Sequence, residues 1–290
     1  MHDNIKYMLD QYKIDTIEQQ ENALIEIVQE IVLLGLSRDD FFKNAAFYGG
    51  TALRILYKLN RFSEDLDFTG LHEKCKSFEV YKKSIEMTLA AYGFSFEFIK
   101  KQKNFDSPIE SAFLKGNTSI NFLQIGIMYN QHKDSNIKIK LEIDRTPALG
   151  FIHEAKLHTQ PEPFYIQSLD LPSLLSGKLH AILFRERRLN IKGRDWYDLS
   201  WYLSKKVHYN FDYLCQKIKQ TMKELKDHPK DLENISELNI KQAILSQIEK
   251  LDLVAAKKDV IRFLRNPSDL DIWSHKYFTE LVSENLLPKF

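Results

Sequence analysis

Hydrophobic residues recur along the chain with two periods, one typical of strands and one typical of helices. Apolar and polar residues alternate strictly over residues 137–144, which predicts a half-buried strand paired as a hairpin with residues 120–129. A further strand is predicted over residues 64–69, and helical spacing predicts helices over residues 17–36 and 78–92. Together these elements predict a mixed sheet with helices at one face.

The second half of the chain is predicted to be helical. Pro161 and Pro163 mark the expected boundary, and little strand signal follows them. Helical spacing extends over residues 169–189 and over several later segments. We therefore expect an α+β fold, with a sheet domain over residues 1–163 and a helical domain over residues 164–290.

Two aspartates in the predicted strand 64–69 are the main candidates for chemistry. Asp65 and Asp67 are separated by one residue, so on a strand they share a face with Cα atoms roughly 6.5 Å apart. Two parallel carboxylates can bind a pair of divalent cations about 4 Å apart, which suits a nucleoside triphosphate and an attacking hydroxyl.

A glycine turn precedes this pair. Gly49 and Gly50 follow a short apolar run and lead into an amphipathic segment, where Thr51 is expected to cap a helix whose free amide groups face a phosphate. A glycine pair is usually only a turn, and an acidic pair is usually solvated surface. Their occurrence within about twenty residues, with a helix between them, favours a catalytic site.

A second block contains Lys178, Asp195 and Asp198 in a locally basic stretch. Lys178 lies at the edge of the buried face of its helix, where a lysine either reaches into a cleft or extends along the surface to solvent. Asp195 and Asp198 begin the next helix, where acidic residues also complement the helix dipole. Periodicity alone leaves both interpretations open.

A third carboxylate is expected from the strand 137–144. Its outward residues include Glu142 and Asp144, and Asp144 is preferred because it lies near the end of the strand. Alternating lysines and carboxylates also simply solubilise a sheet. Ser63 shares the face of Asp65 in this register, which is expected to direct its hydroxyl towards the phosphates, unless it only ends a turn.

Composition narrows the class of protein. The chain has 290 residues, 43% of them hydrophobic, so it can form substantial cores. Two distant cysteines predict neither a disulfide nor a zinc site. No signal peptide or membrane-spanning run is recognisable, so we expect a cytoplasmic protein. A net charge of +1 means that binding to a polyanion requires a local basic cluster.

Two motifs resemble the nucleotidyltransferase family of the AbiEii/AbiGii toxins, within the DNA polymerase β-like superfamily. The second is the stretch L-L-S-G-K-L-H-A-I-L-F-R-E-R-R-L-N-I-K-G-R-D-W-Y-D-L, over residues 174–199. Together the motifs anchor a resemblance over about residues 20–205. The first motif comprises Gly49, Gly50, Thr51, Ala52, Leu53, Arg61, Ser63, Asp65 and Asp67.

The resemblance implies a polymerase β-like mixed sheet and a Mg²⁺-dependent transfer of nucleotide from an NTP, with Mn²⁺ as an alternative ion. It implies an RNA acceptor such as the tRNA 3′ end, growth arrest, and a cognate antitoxin as partner. It assigns nucleotide binding to the glycine turn and to Arg61, and it implies that Lys178 and Asp195 are catalytic. The residues then expected to act are Asp65, Asp67 and Asp144 at the metal, Asp195 and Lys178 in catalysis, and Gly49, Gly50, Thr51, Ser63, Arg61 and Lys178 at the nucleotide.

Two other functions fit the residues less well. A related enzyme could modify a small hydroxylated molecule such as an antibiotic, and the basic stretch after Lys178 argues weakly against that acceptor. A non-catalytic nucleotide- or protein-binding module would not need two metal-binding carboxylates together with a lysine.

Overall fold

A computed structural model of the chain forms two compact units. The first comprises residues 1–58, 62–147 and 153–168, and the second comprises residues 59–61, 148–152 and 169–290. The predicted division into residues 1–163 and 164–290 remains a prediction. The structure describes residues 3–72, 75–101, 108–117, 121, 136–185, 192–224, 232 and 234–289.

The first unit is built on a mixed sheet of seven described strands in the order β3-β4-β5-β2-β1-β7-β6. The pairs β1–β2, β3–β4 and β4–β5 are antiparallel, whereas β2 pairs with β5 and β1 pairs with β7 in parallel. The strands are β1 (Ala45–Tyr48), β2 (Leu66–Gly70), β3 (Glu97–Lys100), β4 (Ile109–Asn117), β5 (Asn136–Asp144), β6 (His153–His158) and β7 (Phe164–Leu169).

Helices of this unit cover one face of the sheet. The long helix α2 begins with a capping box. The Thr16 side chain accepts a hydrogen bond from the Gln19 backbone N–H, and the Gln19 side chain accepts one from the Thr16 backbone N–H. Apolar residues of α2 and α4 form one core cluster with the inward residues of the strands. The helices are α1 (Asp3–Leu9), α2 (Ile17–Arg38), α3 (Gly49–Tyr57) and α4 (Lys82–Ala91).

The second unit is mainly helical in the part of the chain that the structure describes. Several of its helices begin with a side-chain cap, such as Ser236, Asp252 and Ser274, each accepting from a backbone N–H of the first turn. A short parallel pair joins Tyr209–Asn210 to Pro288–Lys289. The helices are α5 (Leu171–Arg185), α6 (Gly193–Ser204), α7 (Phe211–Glu224), α8 (Glu237–Glu249), α9 (Leu253–Val260) and α10 (His275–Asn285).

The predicted α+β class, with a mixed sheet, flanking helices and a helical second half, is confirmed. The expectation of little strand beyond residue 163 was wrong for β7. Two prolines directly before β7 suggested a domain boundary. They only precede the strand, whose six residues pair with β1. The strand β6 was also missed, because it is an edge strand with several polar residues and exposed positions.

Two strand predictions differ from the structure in detail. The strand β2 begins at Leu66, so Ser63 and Asp65 lie in the segment before it and not within it. The predicted hairpin partner of β5, residues 120–129, lies outside the described residues apart from Asn121. The strand β5 pairs instead with β4, in register from Ile109–Asp144 to Asn117–Asn136. Among the helices described, none is both long and apolar enough to cross a bilayer.

Candidate active site

The two aspartates lie at the start of β2 in the first unit. Asp67 is opposite Tyr48 of β1 and level with Glu142 of β5, and Asp65 directly precedes the first residue of the strand. Both are half-buried, whereas Leu66 between them is fully buried. This alternation is what the D-x-D spacing predicts for two carboxylates directed to the same side of a sheet.

The glycine turn contacts one of these carboxylates. Gly49 opens α3 with a φ of +83°, a left-handed conformation that side chains strongly disfavour. A Cβ atom at Gly49 would lie 2.6 Å from Oδ2 of Asp67, so only glycine allows the backbone to come this close to the carboxylate. The first N–H groups of a helix have no partner within it, and in α3 this end of the helix lies beside Asp67.

The role predicted for Thr51 as a helix cap was wrong. The helix begins at Gly49, with Tyr48 in the capping position and no capping bond from its side chain. Thr51 lies in the first turn, where it is fully buried and its hydroxyl donates a hydrogen bond to the backbone oxygen of Asp65. Its side chain therefore fixes the segment that carries the carboxylates, and a contact of Thr51 with phosphate could come only from its backbone N–H.

The segment before β2 is also held from the helix layer. Gln29 of α2 is almost fully buried, and its Nε2 donates to the backbone oxygen of Ser63 at 3.0 Å. The side chain of Ser63 is half-buried. A role for the Ser63 hydroxyl at the phosphates remains a prediction, while its backbone is part of the support that positions Asp65.

The neighbouring strand β5 offers two further carboxylates. Glu142 is level with Asp67, and Asp144 is level with Thr69, two pairs further along. Glu142 accepts from the Ser111 hydroxyl at 2.7 Å and pairs with Lys140 at 2.6 Å. The Oδ1 of Asp144 accepts from the Thr146 backbone N–H at 3.0 Å, which closes a turn. The register thus favours Glu142 as the neighbour of Asp67, and the metal role of Asp144 remains a prediction.

Hard carboxylate oxygens are the donors that Mg²⁺ prefers, so Asp65 and Asp67 suit this ion. Within the described residues, no three His, Cys, Asp or Glu side chains come together as a complete metal cage. Magnesium usually takes only one or two protein carboxylates and completes its shell with water and substrate phosphate. Asp65 and Asp67, just before β2 and within it, fit that mode of binding.

The second unit contains a buried cluster of four charged side chains. Lys178 Nζ lies 2.8 Å from Asp195 Oδ1 and 2.7 Å from Asp198 Oδ2. The guanidinium of Arg61 binds both oxygens of Asp198, at 2.6 Å and 2.7 Å. Two cations and two anions balance, which is how a folded chain retains charges away from water.

Electrostatic effects keep this cluster ionised. Burial alone would lower the pKa of Lys178, but Asp195 and Asp198 raise that pKa above its usual value. Burial would likewise raise the pKa of Asp198, but Arg61 and Lys178 lower it. The pKa of Arg61 is raised, because Asp198 outweighs the effect of burial. All three groups are therefore charged at neutral pH.

Arg61 was expected to bind nucleotide, but the structure gives its guanidinium a different partner. It is only 2% exposed and forms a two-pronged pair with Asp198, so the contacts support a positioning role. Sequence reasoning missed this pair because the two residues are far apart in the chain. The expectation that Lys178 and Asp195 act on a nucleotide bound at Asp65 and Asp67 remains a prediction.

A glycine also explains part of the second motif. A Cβ atom at Gly193 would overlap the backbone carbonyl of Ala256, so the start of α6 packs directly on α9. This close approach fixes the start of the helix that carries Asp195 and Asp198.

The model of the family described as "Nucleotidyl transferase AbiEii toxin, Type IV TA system" matches residues 31–279. The chain belongs to this family. It is therefore a nucleotidyltransferase toxin of a toxin–antitoxin system, which confirms the predicted family and enzyme class. Among curated proteins, none is similar enough to count as a match.

Solved structures of similar fold include two from Helicobacter pylori. JHP933 is 17% identical, with 91% of each chain covered and a TM-score of 0.47. A putative nucleotidyltransferase is 18% identical, covering 88% of this chain and 90% of its own, with a TM-score of 0.48. MenT4, a nucleotidyltransferase toxin from Mycobacterium tuberculosis H37Rv, is 16% identical, covering 93% of this chain and 87% of its own, with a TM-score of 0.49.

Proposed function

We propose that the chain transfers a nucleotide from an NTP to a hydroxyl of an RNA acceptor, with the 3′ end of tRNA as the acceptor that the resemblance points to. The observation that carries this proposal is the contact between the Gly49 backbone and the Asp67 carboxylate. An anion site at a helix N-terminus and a metal-binding carboxylate adjoin there, as a bound metal–triphosphate complex requires.

Each residue then has a defined task in the reaction. Asp65 and Asp67 hold Mg²⁺, and the backbone of α3 at Gly49, Gly50 and Thr51 holds the triphosphate oxygens. Bound Mg²⁺ supplies charge neutralisation for the phosphates and lowers the pKa of the attacking hydroxyl. The acceptor hydroxyl releases its proton to solvent, its oxygen bonds to the α-phosphorus, the bond from that phosphorus to the bridging oxygen breaks, and pyrophosphate leaves.

Further carboxylates and a lysine complete the proposal. Asp144 was expected as the third carboxylate at the metal, and Glu142 is the second candidate because it is level with Asp67. Lys178 is proposed to offset charge on the phosphates, with Asp195 as its partner between turnovers. Transfer to an RNA needed for translation would arrest growth in the cytoplasm, and the cognate antitoxin would prevent it.

Two labels test this function directly. The protein is incubated with Mg²⁺, total RNA and each NTP in turn, labelled at the α-phosphate or at the γ-phosphate. Nucleotide transfer places the α-label on RNA and releases the γ-label as pyrophosphate. Label on RNA from the γ-phosphate would indicate a kinase instead, and label confined to small hydroxylated molecules would favour the alternative acceptor.

A further inference from the structure

The sheet of the first unit has an outer face opposite the helix layer, and its residues follow from strand alternation. On β5 the inward residues Ile139 and Leu141 are fully buried, while Lys138, Lys140 and Glu142 point the other way. Because Asp67 is level with Glu142 in a parallel pair, the metal-binding carboxylate shares this outer face.

An aromatic and an aliphatic side chain lie on this face beside the carboxylates. Phe113 of β4 is opposite Lys140 of β5 and opposite Ile99 of β3. Lys140 precedes Leu141, which is level with Leu66, so Phe113 is level with Asp65 two strands away. At about 4.8 Å between strands, Phe113 is about 10 Å from Asp65, a distance that one or two nucleotides can span.

Lysines surround the two apolar side chains. Lys115 and Lys138 are opposite each other in the next row, and Lys138 Nζ lies 3.8 Å from the centre of the Phe113 ring. Lys101 continues β3 at the other end, where its backbone N–H donates to the Ser111 carbonyl at 3.1 Å. Glu97 faces Lys115 across the strands, Glu142 pairs with Lys140, and Asp65, Asp67 and Asp144 lie on the same face, so the positive charge is concentrated around Phe113 and not over the whole face.

The apolar side chains are partly accessible on this face, where a base that stacks on Phe113 takes the place of Lys138 Nζ over the ring. Ile99 is 39% exposed and Phe113 is half-buried. Single-stranded nucleic acids bind sheets in this way, with bases stacked on aromatic rings and phosphates at lysines. Lys115 and Lys138 lie two rows from Asp67, or about 13 Å along the strands. A single nucleotide held at α3 does not extend to them, but a longer chain does.

We infer that this outer platform, formed by Ile99 and Phe113 with Lys101, Lys115 and Lys138, binds the single-stranded 3′ end of the RNA acceptor. A base stacks on Phe113, and the lysines contact the phosphates of the following nucleotides. The terminal hydroxyl is thereby directed to Asp65 and Asp67. The inference rests on the proposed function, and it adds the surface that selects a single-stranded acceptor.

RNA binding without NTP tests the platform separately from catalysis. The probe is a short unstructured RNA with a fluorescent 5′ label and a free 3′ hydroxyl, followed by anisotropy. Phe113→Ala is expected to weaken binding about tenfold or more, and Phe113→Trp to retain it. Phe113→Leu keeps the apolar bulk and should also weaken binding, because it lacks the flat ring.

Charge variants test the phosphate contacts. Lys138→Glu is expected to weaken binding and to lower the slope of log Kd against log salt by about 0.7 for each phosphate that the protein no longer neutralises. The matched control is Lys83→Glu, the same charge change at an exposed position of α4 in the helix layer. A duplex of the same sequence should bind more weakly than the single strand. Equal effects of Lys138→Glu and Lys83→Glu would overturn the inference.

The outcomes separate the platform from the proposed function. If Phe113→Ala binds and labels RNA as the wild type does, the platform is wrong and the transfer to RNA stands. If RNA binding depends on Phe113 but no label reaches RNA, the platform stands and the proposed function fails. If the wild type binds no RNA, both are wrong. Calorimetry with Mg²⁺ and NTP should give equal affinities for wild type and Phe113→Ala, which excludes the base of the incoming NTP as the stacked partner.

Discussion

The two groups of charged residues in this protein are built in opposite ways. Asp65 and Asp67 in the first unit are half-buried, and Asp67 lies beside a helix N-terminus. Asp198 in the second unit is fully buried between Arg61 and Lys178, and both its oxygens are bound. Carboxylates that must receive a metal and a substrate need accessible oxygens, whereas carboxylates that hold a fold together are matched to cations. We therefore expect aspartate to contribute to chemistry in one unit and to structure in the other.

The largest effect is expected at the accessible carboxylates. Asp67→Asn keeps the size of the side chain but removes its charge, so transfer should fall on the order of 10³-fold, because metal-supported charge stabilisation is lost. The free energy of unfolding should change little, since Asp67 is half-buried. Transfer is measured by α-label on RNA and stability by denaturant titration. Near-normal transfer in the folded variant would contradict the assignment.

In the buried cluster of the second unit, a substitution should mainly lower the free energy of unfolding. Asp198→Ala leaves Arg61 and Lys178 buried with one carboxylate between them, so the free energy of unfolding should fall by about 3–5 kcal/mol. Urea titration measures the loss. An exposed pair in the first unit, Lys43 with Asp40, is the control, and Lys43→Ala should cost less than about 1 kcal/mol. Equal costs for the two variants would mean that the cluster contributes little to stability.

The glycine turn gives a sharper comparison within the first unit. Gly49→Ala places a methyl group against Asp67 in a left-handed conformation, so transfer should fall on the order of 100-fold, with a stability cost of about 1–2 kcal/mol. Gly93 has a similar φ of +85°, and a Cβ atom there would meet nothing within 4 Å, so Gly93→Ala carries the backbone cost alone. If both variants lose transfer equally, strain and not the contact with Asp67 explains the effect.

The second unit should also be sensitive to acid, because of a buried histidine. Burial lowers the pKa of His180 to about 3, and its Nε2 lies 2.8 Å from the Thr221 hydroxyl. In the unfolded chain His180 binds a proton below about pH 6.5, whereas in the folded chain it stays neutral over this range. The free energy of unfolding should therefore fall by about 1.4 kcal/mol per pH unit as pH drops from 6.5 towards 3. Urea titrations of His180→Gln across this range should lack that slope.

The group around Asp65 and Asp67 could be predicted from local sequence patterns, whereas the Arg61–Asp198 pair depends on contacts between distant segments. The turn at Gly49 and the aspartates fall within about twenty residues, so alternation and helix rules predict their arrangement. The contact between Gly49 and Asp67 was not predicted, because it depends on the pairing of β1 with β2. The Arg61–Asp198 pair joins residues that are 137 positions apart, and no periodicity in either segment indicates it.

The choice between Glu142 and Asp144 of β5 also depends on long-range strand pairing, and it gives the smallest expected effect. Alternation puts Glu142 and Asp144 on one face, but only the register with β2 shows that Glu142 is level with Asp67. Glu142→Gln should lower transfer about tenfold, because a carboxylate beside the metal helps to place charge, whereas Asp144→Asn mainly weakens its bond to the Thr146 backbone. Transfer rates of the two variants at saturating NTP and RNA decide the matter. A larger loss of transfer in Asp144→Asn would restore Asp144 as the third carboxylate. The acceptor hydroxyl would then lie near the end of β5 and not near the residue paired with Asp67.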